Sequence, residues 1–406
     1  MKNKVPKLRF PEFSGEWEEK KFHSIFKIFN GYAFSSSDSR SNGIRWVKIA
    51  DVGIKKMKED SLSFLPFDYK KKYSNFLLNE NDYVLALTRP ILNNQLKIAK
   101  VNSNFHNSLL NQRVGKLESN QNIDFVYQLL QRNNIVSKIE VNIAGSDPPN
   151  LSPKEINNLK TNIPSLPEQE KIASFLLEVD TKIEKLEKKK ELLSQHKKGM
   201  MQKLFSKKLR FKDENGNDYP EWEEKKLGEI GEVIAGGTPS TENSEYWNGN
   251  INWFTPTEIG KKKYLFESNR KITAEGLKNS SAKILRKGTI LLTSRASLGD
   301  MGILMNDSAT NQGFQSIQVN KNNNNEFLYY CGQIIKKNML KKASGSTFLE
   351  INGKEIKNIL INIPSLPEQE KIANFLSSID RKIELVEEEL EKNKEFKKGL
   401  LQQMFV

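Results

Sequence analysis

Along residues 168–205, apolar side chains recur at alternating steps of four and three: Ile172, Leu176, Val179, Ile183, Leu186, then Leu193, Met200 and Leu204. The rhythm returns at Ile372, Leu376, Ile379, Ile383, Val386 and Leu390, and again at Leu400 and Met404. Such spacing lays one apolar seam along a helix and predicts a coiled coil. Pro164 and Pro167 end whatever precedes the first run, and Pro167 is followed by Glu168, Gln169 and Glu170. A proline in the first turn and acids at the positive end of the dipole suit a helix start. At 1.5 Å per residue that helix would be roughly 57 Å long. The seam has polar gaps, at Lys190 and Lys197 in the first run and at Asn393 and Lys397 in the second. Residues 182–198 hold seven Lys and three Glu, whereas residues 382–398 hold five Lys and six Glu. Opposite leanings favour the two helices pairing with each other, which we expect to occur antiparallel and within one chain. The competing arrangement packs each helix on its own domain or makes a homodimer.

Outside these runs the pattern is mixed. Strand-like stretches lie at 45–50, 82–87, 251–254 and 288–293, and helix-like ones at 123–130 and 326–337. The chain is also written twice. Asn-Ile-Pro-Ser-Leu-Pro-Glu-Gln-Glu-Lys-Ile-Ala at 162–173 recurs unchanged at 362–373. Glu-Trp-Glu-Glu-Lys-Lys at 16–21 recurs at 221–226, and Lys-Leu-Arg-Phe at 7–10 recurs at 208–211. Looser matches join Asp180 to Asp380 and Asn111-Gln112 to Asn311-Gln312. Between these anchors the halves diverge. The expected class is α+β: two globular mixed α/β domains in pseudo-twofold arrangement, joined by two long helices in an intramolecular antiparallel coiled coil. The boundaries read as body 1–162, helix 163–207, body 208–362 and helix 363–406.

Composition adds a partner. The net charge is +14, and residues 1–210 carry all of it while residues 211–406 sum to zero. Such a surplus favours a polyanion such as nucleic acid. In the first body the basic and polar candidates for DNA contact are Tyr32, Arg45, Lys48, Arg89 and Arg113; in the second they are Thr238, Ser240, Lys261, Lys262, Arg295 and Ser346. Residues of these types suit phosphate contacts and base-edge readout.

Signals for catalysis are missing. One cysteine, Cys331, excludes a disulfide scaffold and a multi-cysteine zinc site, and His23, His106 and His196 leave little for metal or triad chemistry. No G-x-x-x-x-G-K-[ST] phosphate loop, H-E-x-x-H or EF-hand loop occurs. Asp147-Pro-Pro-Asn150 has the outline of an amino-methyltransferase motif, but Asn150 replaces the aromatic that would stack on a flipped base. We read it as a turn. No apolar stretch is long enough to span a bilayer, and the first ten residues lack a signal-peptide core, so we expect no membrane association and a cytoplasmic protein.

Two variable bodies, each followed by Ile-Pro-Ser-Leu-Pro-Glu-Gln-Glu-Lys-Ile-Ala and a heptad helix, resemble the DNA-specificity subunit of type I restriction–modification systems. The Gly-Gly-Thr-Pro-Ser loop at 236–240 is similar to an element of that family's target recognition domains, while the first body departs there with Asn-Gly-Tyr-Ala-Phe at 30–34. The resemblance implies that each body reads half of a bipartite, asymmetric site in double-stranded DNA and that the helices set the spacer. It implies docking by two modification subunits, which carry S-adenosylmethionine and methyltransferase chemistry, and by two restriction subunits working with ATP and Mg. The chain itself would be non-catalytic and bind no cofactor or metal. Alternatives are a stand-alone duplicated DNA methyltransferase or nuclease, and a coiled-coil scaffold without DNA contact.

Overall fold

The computed structural model describes residues 4–60, 62–143, 148–295, 297–343 and 349–406. Two compact units emerge: Met1–Lys188 with Glu387–Val406, and Lys189–Val386. Two long helices, Leu166–Phe205 and Leu366–Gln403, each begin in one unit and end in the other. The first unit is therefore assembled from two separate stretches of sequence, and the second is one continuous stretch that carries the end of the first long helix.

The two bodies diverge in sequence yet share one topology. In the first unit a five-stranded sheet runs in the order Phe26–Asn30, Val114–Ser119, Tyr83–Ala86, Ile98–Lys100, Lys55–Lys56. In the second the order is Gly231–Ala235, Gln315–Val319, Ile290–Leu292, Met301–Leu304, Tyr264–Leu265. In both, the first three junctions are antiparallel and the edge strand is parallel to its neighbour. A three-stranded sheet accompanies each: Leu109–Leu110, Ile44–Val47 and Phe64–Leu65 in the first, Arg270–Ile272, Trp247–Phe254 and Ser308–Thr310 in the second. The expected strands are present: those at 82–87 and 288–293 are shortened at both ends, that at 45–50 runs from Ile44 to Val47, and that at 251–254 extends back to Trp247. Val47, Leu78, Val84, Ala99, Phe105 and Val114 form one core of the first unit. The central strand Tyr83–Ala86 is buried throughout, as a strand covered on both faces must be.

The repeated motifs form the frame. Glu18–Lys21, the end of the first Glu-Trp-Glu-Glu-Lys-Lys copy, pairs antiparallel with Lys160–Ile163, and Glu223–Lys226 pairs in the same register with Leu360–Ile363. Each pair feeds directly into the following long helix. The expected helix at 123–130 is Ile123–Leu130, but that at 326–337 is two helices, Asn325–Tyr330 and Gly332–Lys342. The break lies at Cys331, a buried residue whose backbone ends one helix and starts the next.

Within the first unit the two long-helix segments run antiparallel. Asp180 meets Lys397 and Glu187 meets Lys394, the number falling on one helix as it rises on the other, and Lys182 reaches Glu389 in the same stretch. Of the seam residues, Ile172, Leu176, Val179, Ile183 and Leu186 are buried, as are Ile372, Leu376, Ile379 and Val386. Ile383 is half-buried. Ile372 and Leu376 lie in the core of the second unit with Phe327, Ile356 and Ile361 from the body and Leu204 from the end of the first helix. The start of that seam thus covers its own body as well as meeting the other helix. No helix among the described residues is long and apolar enough to cross a membrane.

Candidate nucleic-acid interface

Five chain segments of the first body are tied into one loop cluster. Asn111 is the hub: its N–H donates to Val47 O (3.1 Å) and its side-chain Oδ1 accepts from Arg113 N–H (2.9 Å), an Asx turn. Tyr32 N–H donates to Leu110 O (2.9 Å) and Gln112 N–H to Tyr32 O (3.0 Å). Leu87 N–H donates to Arg113 O (2.9 Å), while Leu87 O accepts from Leu151 N–H (2.7 Å). Arg89 N–H donates to Pro149 O (2.8 Å), and Thr88 Oγ1 donates to Asn150 Oδ1 (2.7 Å). Tyr32, Gln112, Arg113 and Arg89 are thereby gathered, and all four are exposed. Arg89 holds φ at 48°, a left-handed backbone that a non-glycine residue seldom adopts.

The second body repeats the wiring with other side chains. Asn311 N–H donates to Phe254 O (3.1 Å), and Asn311 Oδ1 accepts from Gly313 N–H (2.9 Å). Ser294 N–H donates to Gly313 O (2.8 Å), and Ser294 O accepts from Ile351 N–H (3.2 Å). Gly237 N–H donates to Thr310 O (2.9 Å), and Thr238 Oγ1 donates to Gln312 Oε1 (2.5 Å). Arg295 pairs with Glu350 at 2.6 Å on the same cluster. The faint Asn-Gln echo is therefore the turn that organises both clusters.

Glycine closes each one. A Cβ on Gly236 would overlap Asn311 O, and one on Gly31 would overlap Leu110 O and Asn111 O. Gly31 thus fills the place of Gly236, although the surrounding Asn-Gly-Tyr-Ala-Phe looked like a departure. What differs is the filling. Tyr32 packs at a tilt against Tyr73 (4.6 Å between centroids) and Phe34 (4.9 Å), with Lys72 5.3 Å above the Tyr73 ring. The second body has instead the small Gly237, packed on Ser281 and Ala282.

The remaining candidates fall elsewhere. Arg45 is half-buried on the strand Ile44–Val47, its guanidinium 3.7 Å over the Phe105 ring, and Lys48 lies 3.9 Å over Trp46. Both serve body packing in the free chain. Ser240 is exposed at the end of the glycine loop, its carbonyl accepting from Trp247 Nε1 (3.0 Å). Lys261 and Lys262 are exposed in the loop before the edge strand Tyr264–Leu265. Ser346 lies outside the described residues, as does Asp147 of the Asp-Pro-Pro-Asn fragment. Asn150 Nδ2 donates to Pro148 O (3.0 Å), the local bond of a turn.

Sequence reasoning missed the clamps that make the repeated motifs necessary. Arg9 donates from Nε and Nη2 to buried Glu168 (2.8 Å each), and Arg210 does the same to Glu368 (3.2 and 2.9 Å). Gln169 Nε2 donates to Pro164 O and to Gln121 Oε1 (2.9 Å each), and its Oε1 accepts from Asn122 N–H (3.2 Å) at the cap of the helix Ile123–Leu130. Gln369 does likewise for Asn324, which caps Asn325–Tyr330 (2.8 Å). The end of the other helix enters each socket: Phe405 packs on Trp17 (6.1 Å) and Phe125 (5.3 Å), and Phe205 on Trp222 (6.4 Å) and Phe327 (5.7 Å). Lys397, a supposed gap in the seam, is 3% exposed and bonded to Asp180. Burial pushes its ammonium down to about 8, with Asp180 pulling it back up and Lys55 pushing it further down.

A model of the family described as type I restriction modification DNA specificity domain matches residues 14–194 and 219–394, nearly the whole chain in two copies. The chain belongs to this family. It is 41% identical over 190 residues to the type I restriction enzyme MjaIX specificity subunit of Methanocaldococcus jannaschii, covering 45% of this chain and 44% of that protein. It is 33% identical over 212 residues to the MjaVIII specificity subunit of the same organism, covering 52% and 50%. The chain thus spans about half the length of these relatives in each match. Two solved structures share the fold. The S subunit of a type I restriction-modification system from M. genitalium matches with a TM-score of 0.65 and 17% identity over 99% of both chains. A chain from a study of complex assembly and conformational transition of the type I R-M system matches with a TM-score of 0.53 and 18% identity, over 96% of this chain and 97% of that one.

Proposed function

We propose that this chain is the sequence-specific DNA-binding specificity subunit of a type I restriction–modification complex, each body reading one half of a bipartite, asymmetric site. The observation that carries this is the loop cluster built twice on one wiring diagram with unlike side chains. A shared backbone frame presents a reader at the same place in each body, while Tyr32, Arg89 and Arg113 in one and Thr238, Ser240 and Arg295 in the other give the two readers different chemistry. Gln112 and Gln312 stand at matched exposed positions, where an amide can bond a base edge bidentately. Lys261, Lys262 and the basic surplus of residues 1–210 favour phosphate contact; Arg45 and Lys48 would contribute only by leaving their aromatic partners, and Ser346 remains a further candidate.

In this reading residues 1–162 and 208–362 are the target recognition domains and the two long helices set the spacer and dock two modification subunits. Restriction subunits join the same assembly. S-adenosylmethionine, ATP and Mg belong to those partners, the chain performs no catalysis itself, and the complex works in the cytoplasm. Among the described residues, no group of three or more His, Cys, Asp or Glu is placed to hold a metal ion. The test is methylome sequencing of a host carrying this chain with its modification partner. A two-part methylated motif with one fixed gap is expected, and exchange of residues 1–162 for those of a relative should change one half only. Change in both halves, or methyl transfer by the isolated chain, overturns the reading.

A further inference from the structure

Asp180 and Asp380 stand at the same place in the two repeats, and each gathers partners from several elements of its unit. On Asp180 converge Lys397 of the second helix, 2.6 Å from both oxygens, and Gln128 Nε2 of the body helix Ile123–Leu130, at 2.8 Å. Lys55 of the edge strand Lys55–Lys56 lies 3.7 Å away. On Asp380 converge Lys197 of the first helix, at 2.5 Å, and the Tyr330 hydroxyl of the body helix Asn325–Tyr330, at 2.5 Å. The lysine beside the edge strand, Lys263, joins through Tyr330: its Nζ donates to Tyr330 OH, Glu326 Oε2 and Ser377 Oγ at 2.9 Å each. Gln128 and Tyr330 both lie three residues after the matched Phe125 and Phe327. Two bodies that diverged almost everywhere thus send a body-helix side chain to the matched carboxylate, while the edge lysine meets it directly in the first unit and through the Tyr330 hydroxyl in the second.

Stability does not account for this. An apolar pair of similar volume holds two helices as well as a buried ion pair or better, because desolvation cancels much of the attraction. A polar group kept in a seam can fix register, since a slipped alignment costs it the charged partner on the other helix. A slip of one heptad in either direction sets Asp180 against Leu390 or Met404. We propose that Asp180 and Asp380 are positioning residues that lock the register of the helix pair and the seat of each body upon it, so that the gap between the two half-sites takes one value. This rests on the bipartite-site reading above.

The test uses the full complex with modification subunits. One variant replaces both members of the first pair by leucine, Asp180→Leu with Lys397→Leu; a second reverses the charges of all three groups, Asp180→Lys with Lys397→Asp and Lys55→Glu. The leucine variant should melt at or above the wild-type temperature, yet methylate sites with more than one gap length and unchanged bases in each half. The charge-reversed variant should return to one gap. A single wild-type gap in the leucine variant overturns the proposal. If that variant does not assemble, the charge-reversed one decides: a single gap supports the proposal and mixed gaps overturn it. A wild-type complex that methylates no two-part motif would instead sink the bipartite reading, and this inference with it.

Discussion

Arg9 holds Glu168 with two parallel donors, Nε and Nη2, each 2.8 Å from a carboxylate oxygen. Trp17 Nε1 donates to the same carboxylate at 3.2 Å. Three repeated segments of sequence, Lys-Leu-Arg-Phe, Glu-Trp-Glu-Glu and Pro-Glu-Gln-Glu, meet at this one buried anion. Removing the arginine leaves the buried carboxylate, among the described residues, with the Trp17 indole as its side-chain donor. Arg9→Met should cost about 3 kcal/mol, the usual scale for stranding one member of a buried pair. Urea unfolding followed by tryptophan fluorescence checks it, since Trp17 sits on the clamp.

The two helix ends differ in how deeply their phenylalanines are set. Phe405 is 3% exposed and Phe205 only partly buried. Phe405→Ala should therefore destabilise by about 3–4 kcal/mol and Phe205→Ala by less, because the cost follows the apolar volume lost from a packed site. Thermal melts of the two variants check the order.

Lys397 makes stability depend on pH. Burial lowers its ammonium from 10.5 to about 8. Between these values the unfolded chain binds more protons than the native one, so this group's contribution rises with pH across that window and is flat below it. Wild type should gain on Lys397→Met by up to about 3 kcal/mol between about pH 7 and about pH 10. Parallel denaturant titrations give the difference; if it does not change with pH, Lys397 titrates as an ordinary lysine.

If the loop clusters read DNA, Gln112→Ala should relax the choice of base at one position of one half-site, by about 1–3 kcal/mol, and leave the other half intact. Methylated-motif sequencing of the variant shows which positions loosen.

Phosphate contacts answer to salt. Replacing Lys261 and Lys262 together by alanine should reduce the log–log salt slope of DNA binding by about 2 without altering the preferred sequence. Titration of the complex with DNA at several salt concentrations measures the slope, and an unchanged slope removes both lysines from the interface.

Periodicity and repetition carried much of this architecture in plain view. The seam at Ile172, Leu176 and Val179 and the helix at 123–130 follow from spacing alone, and the antiparallel partner from the contrast between a lysine-rich and a glutamate-rich flank. Pairings between distant residues were not legible. Nothing local marks Glu168 as the partner of Arg9, 159 positions away, so the motif read as a helix start when it is also a clamp. Lys197 and Lys397 looked like defects because their partners sit on another helix. Gly31 was masked by unlike neighbours, since what it conserves is the absence of a Cβ. Among the basic candidates, burial separates Arg45 and Lys48, turned onto Phe105 and Trp46, from Arg89 and Arg113, and single-sequence composition cannot supply burial.

Because each unit borrows its closing helix end from the other half of the chain, half of this polypeptide holds a complete set of parts but not a complete fold. A fragment with one body and one helix leaves its Trp17 and Phe125 socket without Phe405 and carries, in Phe205, the matched residue of the other tail. Two such fragments are expected to trade tails and pair, and light scattering on residues 1–207 alone checks it.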